Sequence, residues 1–251
     1  MFVTYTSPQT ANIRHLMNFS SFDESQPVSR LVAHFMKDDI KHVMEIRLIA
    51  ESSDRNISKL RKEILVDGVK KTVSHAIGGF NAVIFLPQMT ALLERGPDER
   101  RRFLDQMIAQ TEPLYAQALI DYNNALVRRN ALLKRLNETG GDKLQLDHWD
   151  NLLAENGATI LEIRSKTIKS LEIISARKLN QLSGNLETLQ TLYKPGFEQQ
   201  RQNDNFKDIS RIQLNKQLSE QLLKNRKTDI VRGITTVGPH RDEVRFFINN
   251  I

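Results

Sequence analysis

Gly96-Pro97-Asp98-Glu99-Arg100-Arg101-Arg102-Phe103-Leu104-Asp105 is the stretch where the chain changes texture. Before it, apolar residues alternate as in strands; after it they recur every three or four positions as in helices. Proline is suited to a first helical turn, and Asp98 and Glu99 complement the positive end of the helix dipole. A helix therefore starts here, with Phe103, Met107 and Ile108 on its core face. Arginines at a helix start oppose the dipole, and successive residues fan out by about 100°, so Arg100, Arg101 and Arg102 cannot all face one partner. One or two are expected in ion pairs with Asp98, Glu99 or Asp105, and one against phosphate.

Upstream, Leu31, Ala33 and Phe35, then Met44, Ile46 and Leu48 against Val43, Glu45, Arg47 and Ile49, read as two antiparallel strands. Asp67-Gly68 supplies the positive backbone angles of a tight hairpin. Asn81 to Leu86 reads as a buried strand ended by Pro87.

Downstream, Thr111-Glu112-Pro113 interrupts the first helix and Gly140-Gly141 ends a second. A third is expected from an N-cap at Asp147 towards Leu182, broken at most locally at Gly157; some 35 residues would project roughly 50 Å. The helices form either a projecting arm or a conventional helical domain. A strand is expected within Leu186–Tyr193, with Gly184 capping the helix before it. Ser210 reads as the N-cap of a helix to Arg226, and Gly233–Val237 and Val244–Ile248 read as strands flanking Gly238-Pro239-His240-Arg241-Asp242. The order is sheet, helices, sheet, and the simplest topology pairs the terminal segments with each other. The expected divisions are 1–96, β-rich head; 97–228, helical arm; 229–251, returning strands.

The 251 residues carry a net charge of +6, which fits an anionic partner or an ordinary solvated surface. Cysteine is absent, so thiolate metal sites and disulfides are excluded and a reducing cytoplasm is the expected compartment. No apolar run approaches the roughly 20 residues that span a bilayer. No paired histidines at ligand spacing, hydrolase triad context or dinucleotide fingerprint is present, and no metal ligands or catalytic residues are expected.

The box around Gly96 resembles that of the RecF family of SMC/ABC-type ATPases: Pro87, Leu92-Leu93, Gly96-Pro97, Arg100-Arg101 and Phe103-Leu104-Asp105 match, while Gln88 stands where the family has an acid and Arg95 where it has glycine. Tyr122–Leu126, Arg129–Lys134 and Trp149–Ile160 resemble its arm helices, and Thr236-Val237-Gly238-Pro239-His240-Arg241-Asp242-Glu243 is similar to its second box. The resemblance implies an α/β fold, part of an ABC-ATPase-like head lobe of mainly antiparallel strands with an inserted arm of long helices. It also implies ATP-dependent, dimerising attachment to DNA at single-strand gaps, assisting recombinase loading with the mediators RecO and RecR, with ATP and Mg²⁺ as cofactors. The 251 residues contain no phosphate loop ending Gly-Lys-Ser/Thr, no signature motif and no acidic ATPase strand, so no cofactor is expected on this chain alone. By resemblance, Gln88 and His240 are the nucleotide-contact candidates, His240 alternatively bracing its own turn. The DNA candidates are Arg100, Arg101, Arg102, Arg128, Arg129, Lys134, Arg135 and Arg241, with the basic residues of 164–178. The competing reading is an interaction scaffold whose charge is incidental; convergence of these cations on one face separates the two.

Overall fold

The computed structural model describes residues 13–17, 27–53, 56–83, 94, 96–197 and 209–249. The chain divides into two compact units, residues 1–83 and 84–251.

In the first unit β1 (Val28–Lys37), β2 (Ile40–Ser53), β3 (Asn56–Val66) and β4 (Val69–Lys71) form an antiparallel meander in chain order, followed by a one-turn helix α1 (Val73–Ala76). Two tight turns set the register. Asp38 and Asp39 both take positive φ where β1 turns into β2, and Asp67 and Gly68 do so between β3 and β4. The Asp67 carboxylate also accepts from the Val43 backbone N–H at 2.8 Å. Pairing of Leu31 with Ile46, and of Ile46 with Ile64, puts the alternate apolar residues on one face. There Met44, Ile46, Leu48, Ala50 and Ile64 are buried with Met17 and Ala76. Burial at about 1.5–3 kcal/mol per large side chain drives this layer together.

The opposite face carries charge. Arg30 and Arg47 lie directly across from one another, a repulsive arrangement, and Glu45 separates them by accepting from both Nε atoms at 2.5 Å. The two guanidinium bonds hold the Glu45 carboxyl well below its ordinary value of 4.5, at about 2. A depressed folded-state pKa stabilises the fold above the unfolded value and loses that contribution as pH falls through the folded one. Acid unfolding of the native chain should therefore show a loss of stability between pH 4.5 and about 2. That component should be missing in Glu45→Gln, as read by circular dichroism at successive pH values.

Asn81–Val83, expected to begin a buried strand, are irregular and exposed; Ile84–Leu86 lie outside the described residues.

The second unit holds α2 (Pro97–Thr111), α3 (Pro113–Thr139), α4 (Leu146–Leu182), β5 (Leu189–Lys194), α5 (Arg211–Arg232) and β6 (Glu243–Ile248). Prolines at the first position start α2 and α3, and Gly140, at φ 69°, ends α3. On α2 the buried residues are Leu104, Ile108 and Ala109; Phe103 and Met107 are half-buried. α4 runs unbroken for 37 residues, about 55 Å, so it is a single long helix. Its N-cap is Gln145 rather than Asp147, because Asp142 caps a preceding 3₁₀ turn, Lys143–Gln145, that runs directly into the helix. Gly157 does not break α4. It is buried where a Cβ would come within 2.5 Å of Leu218 on α5, so this glycine lets α5 approach closely.

Ser210 caps α5 in a reciprocal capping box with Gln213, and the helix continues six residues beyond the expected end, to Arg232, where Gly233 closes it in the left-handed conformation. Gly233–Val237 is not a strand. Its polar groups are taken by side chains of α3 and α5: the Thr235 backbone N–H donates to Asn130 at 2.8 Å and that of Thr236 to Asp229 at 3.1 Å. Among the described residues β6 finds its ladder in β5, Leu189 opposite Ile248 and Lys194 opposite Glu243, rather than in the N-terminal strands.

Candidate functional site

The two boxes meet at one arginine of the arm. Arg164, in the buried face of α4, sends Nη2 to Asp105 of the first box at 2.7 Å and Nη1 to Asp242 of the second at 2.5 Å. Nη1 also reaches the Pro239 carbonyl at 2.9 Å, and Nε donates to the Tyr115 hydroxyl at 3.1 Å. That hydroxyl donates in turn to Asp105 at 2.5 Å. Asp242 is fully buried and also accepts from the Gly196 backbone N–H at 2.7 Å and from the Tyr193 hydroxyl. Burial pulls its carboxyl up from the ordinary value, while Arg164, Tyr193 and Gly196 hold the ionised form. Such a planar fork spanning two carboxylates is a geometry that lysine cannot reproduce.

The arginines of the first box divide as their angular spread requires. Arg101 bonds Asp98 on its own helix and the Asp242 backbone carbonyl. Arg100 lies 3.8 Å from Glu243, and Arg102 points outward beside Glu99 at 3.4 Å. The box is thus a fastening between α2 and the 239–243 turn.

A second buried cluster lies along α3. Arg129, with no exposed surface, donates to Asp150 at 2.6 Å, to Asp229 at 2.7 Å and to Thr235 at 2.9 Å. Arg226 closes the cluster with bonds of 2.5 Å to Asp147 and 2.7 Å to Asp150. Of the DNA candidates, Arg129 is therefore engaged in holding α3, α4 and α5 together, and Arg164, among the basic residues of 164–178, in joining α4 to α2, α3 and the 239–242 turn; their buried charges require these partners.

His240 braces its turn with both ring nitrogens. A carbonyl is its partner at Nε2, Thr235 O at 3.1 Å, so Nε2 carries the proton and Nδ1 accepts from the Tyr122 hydroxyl at 2.7 Å. Burial, with Arg241, Arg101 and Arg129 nearby, pushes the imidazole down to about 4, which keeps it neutral at pH 7. Gly238, at φ 127°, lets this turn lie against the Tyr122 hydroxyl, where a Cβ would collide. Gln88 lies outside the described residues.

The exposed cations are not gathered on one spot. Lys134 and Arg135 end α3, Arg135 bonding Gln145 at 2.5 Å. Lys166 lies about 30 Å along α4 from Gln145. Lys166, Lys169 and Arg177 fall within about 80° of the α4 circumference, with Lys166 also bonding Glu162 at 2.8 Å in the same arc, while exposed Lys178 is turned about 100° further round. Arg128 is exposed on α3, and exposed Arg241 reaches the Thr235 carbonyl at 3.2 Å. Sequence reading offers Asp105 to Arg100–Arg102 and places Asp150 and Asp242 only within the matched segments; Asp229 it misses, and the pairing of all four with Arg129 and Arg164 is visible only in three dimensions. No described helix is long and apolar enough to cross a membrane.

No family model matches the chain. Curated proteins do. It is 33% identical over 216 residues to the DNA replication and repair protein RecF of Halothermothrix orenii, covering 83% of this chain and 56% of that one. It is 34% identical over 213 residues to RecF of Bacillus cereus strain G9842, covering 84% and 55%, and 37% identical over 179 residues to RecF of Streptococcus suis strain 05ZYH33, covering 71% and 46%. The chain thus spans about half the length of the curated relatives it matches. Two solved structures superpose on all of it and on 62% of their own chains at 26% identity: the recombination mediator protein RecF-ATPrS in the RecFOR pathway, TM-score 0.83, and RecF-ATP in the same pathway, TM-score 0.80. The mixed architecture of antiparallel strands and long helices is that of RecF, an ABC-ATPase-like fold, and the boxes joined through Arg164 sit within the aligned chain; with a third of its residues shared across most of its length, this chain belongs to the RecF family.

Proposed function

We propose that this chain is the arm-bearing part of a RecF-like DNA repair protein that binds DNA at single-strand gaps and helps load recombinase with RecO and RecR. ATP, named with the solved relatives, and Mg²⁺ belong in this reading to the intact protein, which dimerises on nucleotide binding. The observation that carries the DNA part is the exposed stripe Lys166, Lys169 and Arg177 on α4. Arg102, Arg128, Lys134, Arg135 and Arg241 add peripheral charge; Arg100 and Arg101 act chiefly by fastening the two boxes.

Three phosphate contacts predict a duplex-binding salt slope near −2.7, or about 40-fold weaker binding at 200 mM than at 50 mM salt. Fluorescence anisotropy with gapped DNA should show that fall, with little sequence preference. The triple variant Lys166→Glu, Lys169→Glu, Arg177→Glu should bind at least about tenfold more weakly. Salt-independent binding, or none at 50 mM, would defeat the DNA reading. One observation favours the scaffold alternative: Arg101, Arg129 and Arg164 are all engaged inside the protein. In that case the triple variant binds DNA no differently from the native chain.

A further inference from the structure

A groove of about 380 Å³ lies between α3 and α4, lined by Asp121, Asn124, Arg128, Trp149, Glu155 and Asn156. It belongs to neither buried cluster. The helices run antiparallel here, since Arg129 meets Asp150 and Tyr122 lies beside Gly157. Asp121 and Asn124 therefore sit near Glu155 and Asn156 at one end. Arg128 lies near Trp149 at the other, two helical turns or about 10 Å away.

In a chain of net charge +6, two carboxylates here face one guanidinium. Neither Glu155 nor Arg128 has an ion-pair partner among the described residues, and the Asp121 carboxylate accepts only from the neutral Gln117 amide, at 2.9 Å. The acidic end is thus electrostatically unanswered. Trp149 is half-buried, packs on the Leu132, Leu133, Leu136 and Leu146 core, meets His148 in a T-shaped contact with ring centroids 4.8 Å apart, and lines the groove, where its indole can take up the aliphatic stem of a basic residue. Asn156 donates its amide to the Leu152 carbonyl at 2.9 Å, which leaves its side-chain oxygen for an incoming N–H. The Asn124 carboxamide can serve the same backbone from α3.

We propose that this groove docks a short Lys/Arg-bearing segment of a partner protein. The basic head group lies between Asp121 and Glu155, the two asparagines hold the peptide backbone, and the stem of a neighbouring residue packs towards Trp149, with Arg128 the one repulsive charge in the groove. Charge decides against a nucleic-acid strand, because a phosphodiester would face two carboxylates for one guanidinium. The docking is independent of DNA binding through the α4 stripe.

Trp149 is the chain's sole tryptophan, so its fluorescence reports on the groove. The full chain is titrated with the capped peptide acetyl-Arg-Ser-Lys-Arg-amide, with its all-glutamate counterpart and with a ten-residue oligothymidylate. A saturable change with the basic peptide alone is expected. Glu155→Lys should weaken it at least about tenfold and Arg128→Ala should tighten it a few-fold. Asp121→Lys, a second exposed position, should weaken it as well; circular dichroism checks that each variant is folded. The proposal falls if the basic peptide gives no saturable change, if both charge reversals bind it like the native chain, or if the oligonucleotide gives the saturable change instead.

Discussion

Replacing Arg164 by alanine should destabilise the second unit by about 3–5 kcal/mol, the range for removing one partner of a buried ion pair. The substitution leaves Asp242 fully buried with only the Tyr193 hydroxyl and Gly196 amide as donors, and leaves Asp105 with Tyr115. Arg164→Met fills the space of the side-chain stem without supplying a charge, so it should recover little. Arg164→Lys restores the charge but cannot fork to two carboxylates and a carbonyl, and should fall between. The sign of the pH dependence separates this from simple loss of packing. Without the guanidinium, burial raises the Asp242 carboxyl further above its unfolded value, so the folded state of the variant takes up a proton more readily than the unfolded chain. Its stability must then rise as pH falls, and the deficit of Arg164→Ala should narrow between pH 7 and 5. Urea unfolding followed by circular dichroism at both pH values measures this. A deficit below about 1 kcal/mol, unchanged with pH, would mean that Arg164 is not the fastening between the boxes.

Such a fastening was legible only in part. Elements ruled by local chemistry were readable: the alternation of Met44, Ile46 and Leu48, the Asp67-Gly68 turn, the prolines that start α2 and α3, and the Ser210 cap each depend on residues a few positions apart. Thr235 and Thr236 misled, because β-branched residues favour strands only when a ladder is available. Their hydroxyls here bond Asn130 and Asp229 instead. Arg129 and Arg164 read as surface cations when judged by type. Their register says otherwise: Arg129 follows Tyr122 and Ala125 and precedes Leu132 and Leu136 on the buried face of α3, while Arg164 lies between Leu161 and Ile168 on that of α4. A charged residue in an apolar register needs a buried counter-ion, and that rule would have separated these two from Arg128 and Lys166 without naming Asp150 or Asp242 as partners. Gly157 carries the same lesson, since its small size serves a neighbouring helix distant in sequence.

Asp229→Ala should cost about 3 kcal/mol or more and act on a segment that no sequence pattern connects with it. Asp229 has no exposed surface; it accepts from Arg129 at 2.7 Å, from the Thr236 hydroxyl at 2.6 Å and from the Thr236 backbone N–H at 3.1 Å. Truncation leaves Arg129 with Asp150 as its one anionic partner, and Arg129 already has a buried Nη2 without a hydrogen bond. Asp229→Asn keeps an acceptor and loses the charge, so its penalty should be smaller. Thr236→Val removes one hydroxyl donor and should cost only about 1 kcal/mol. Hydrogen exchange at the Thr236 amide should accelerate in Asp229→Ala, because that N–H loses its acceptor. If the cluster acts as a unit, Asp229→Ala combined with Arg129→Met should destabilise by clearly less than the two single penalties added, since the second substitution removes the charge that the first one orphans. Additive penalties would mean that Asp229 supports the 233–237 segment alone. Coupling would mean that α3, α4, α5 and the 233–237 segment are held by one buried charge network, so that a change at Asp229 on α5 reaches Asp150 on α4 through Arg129.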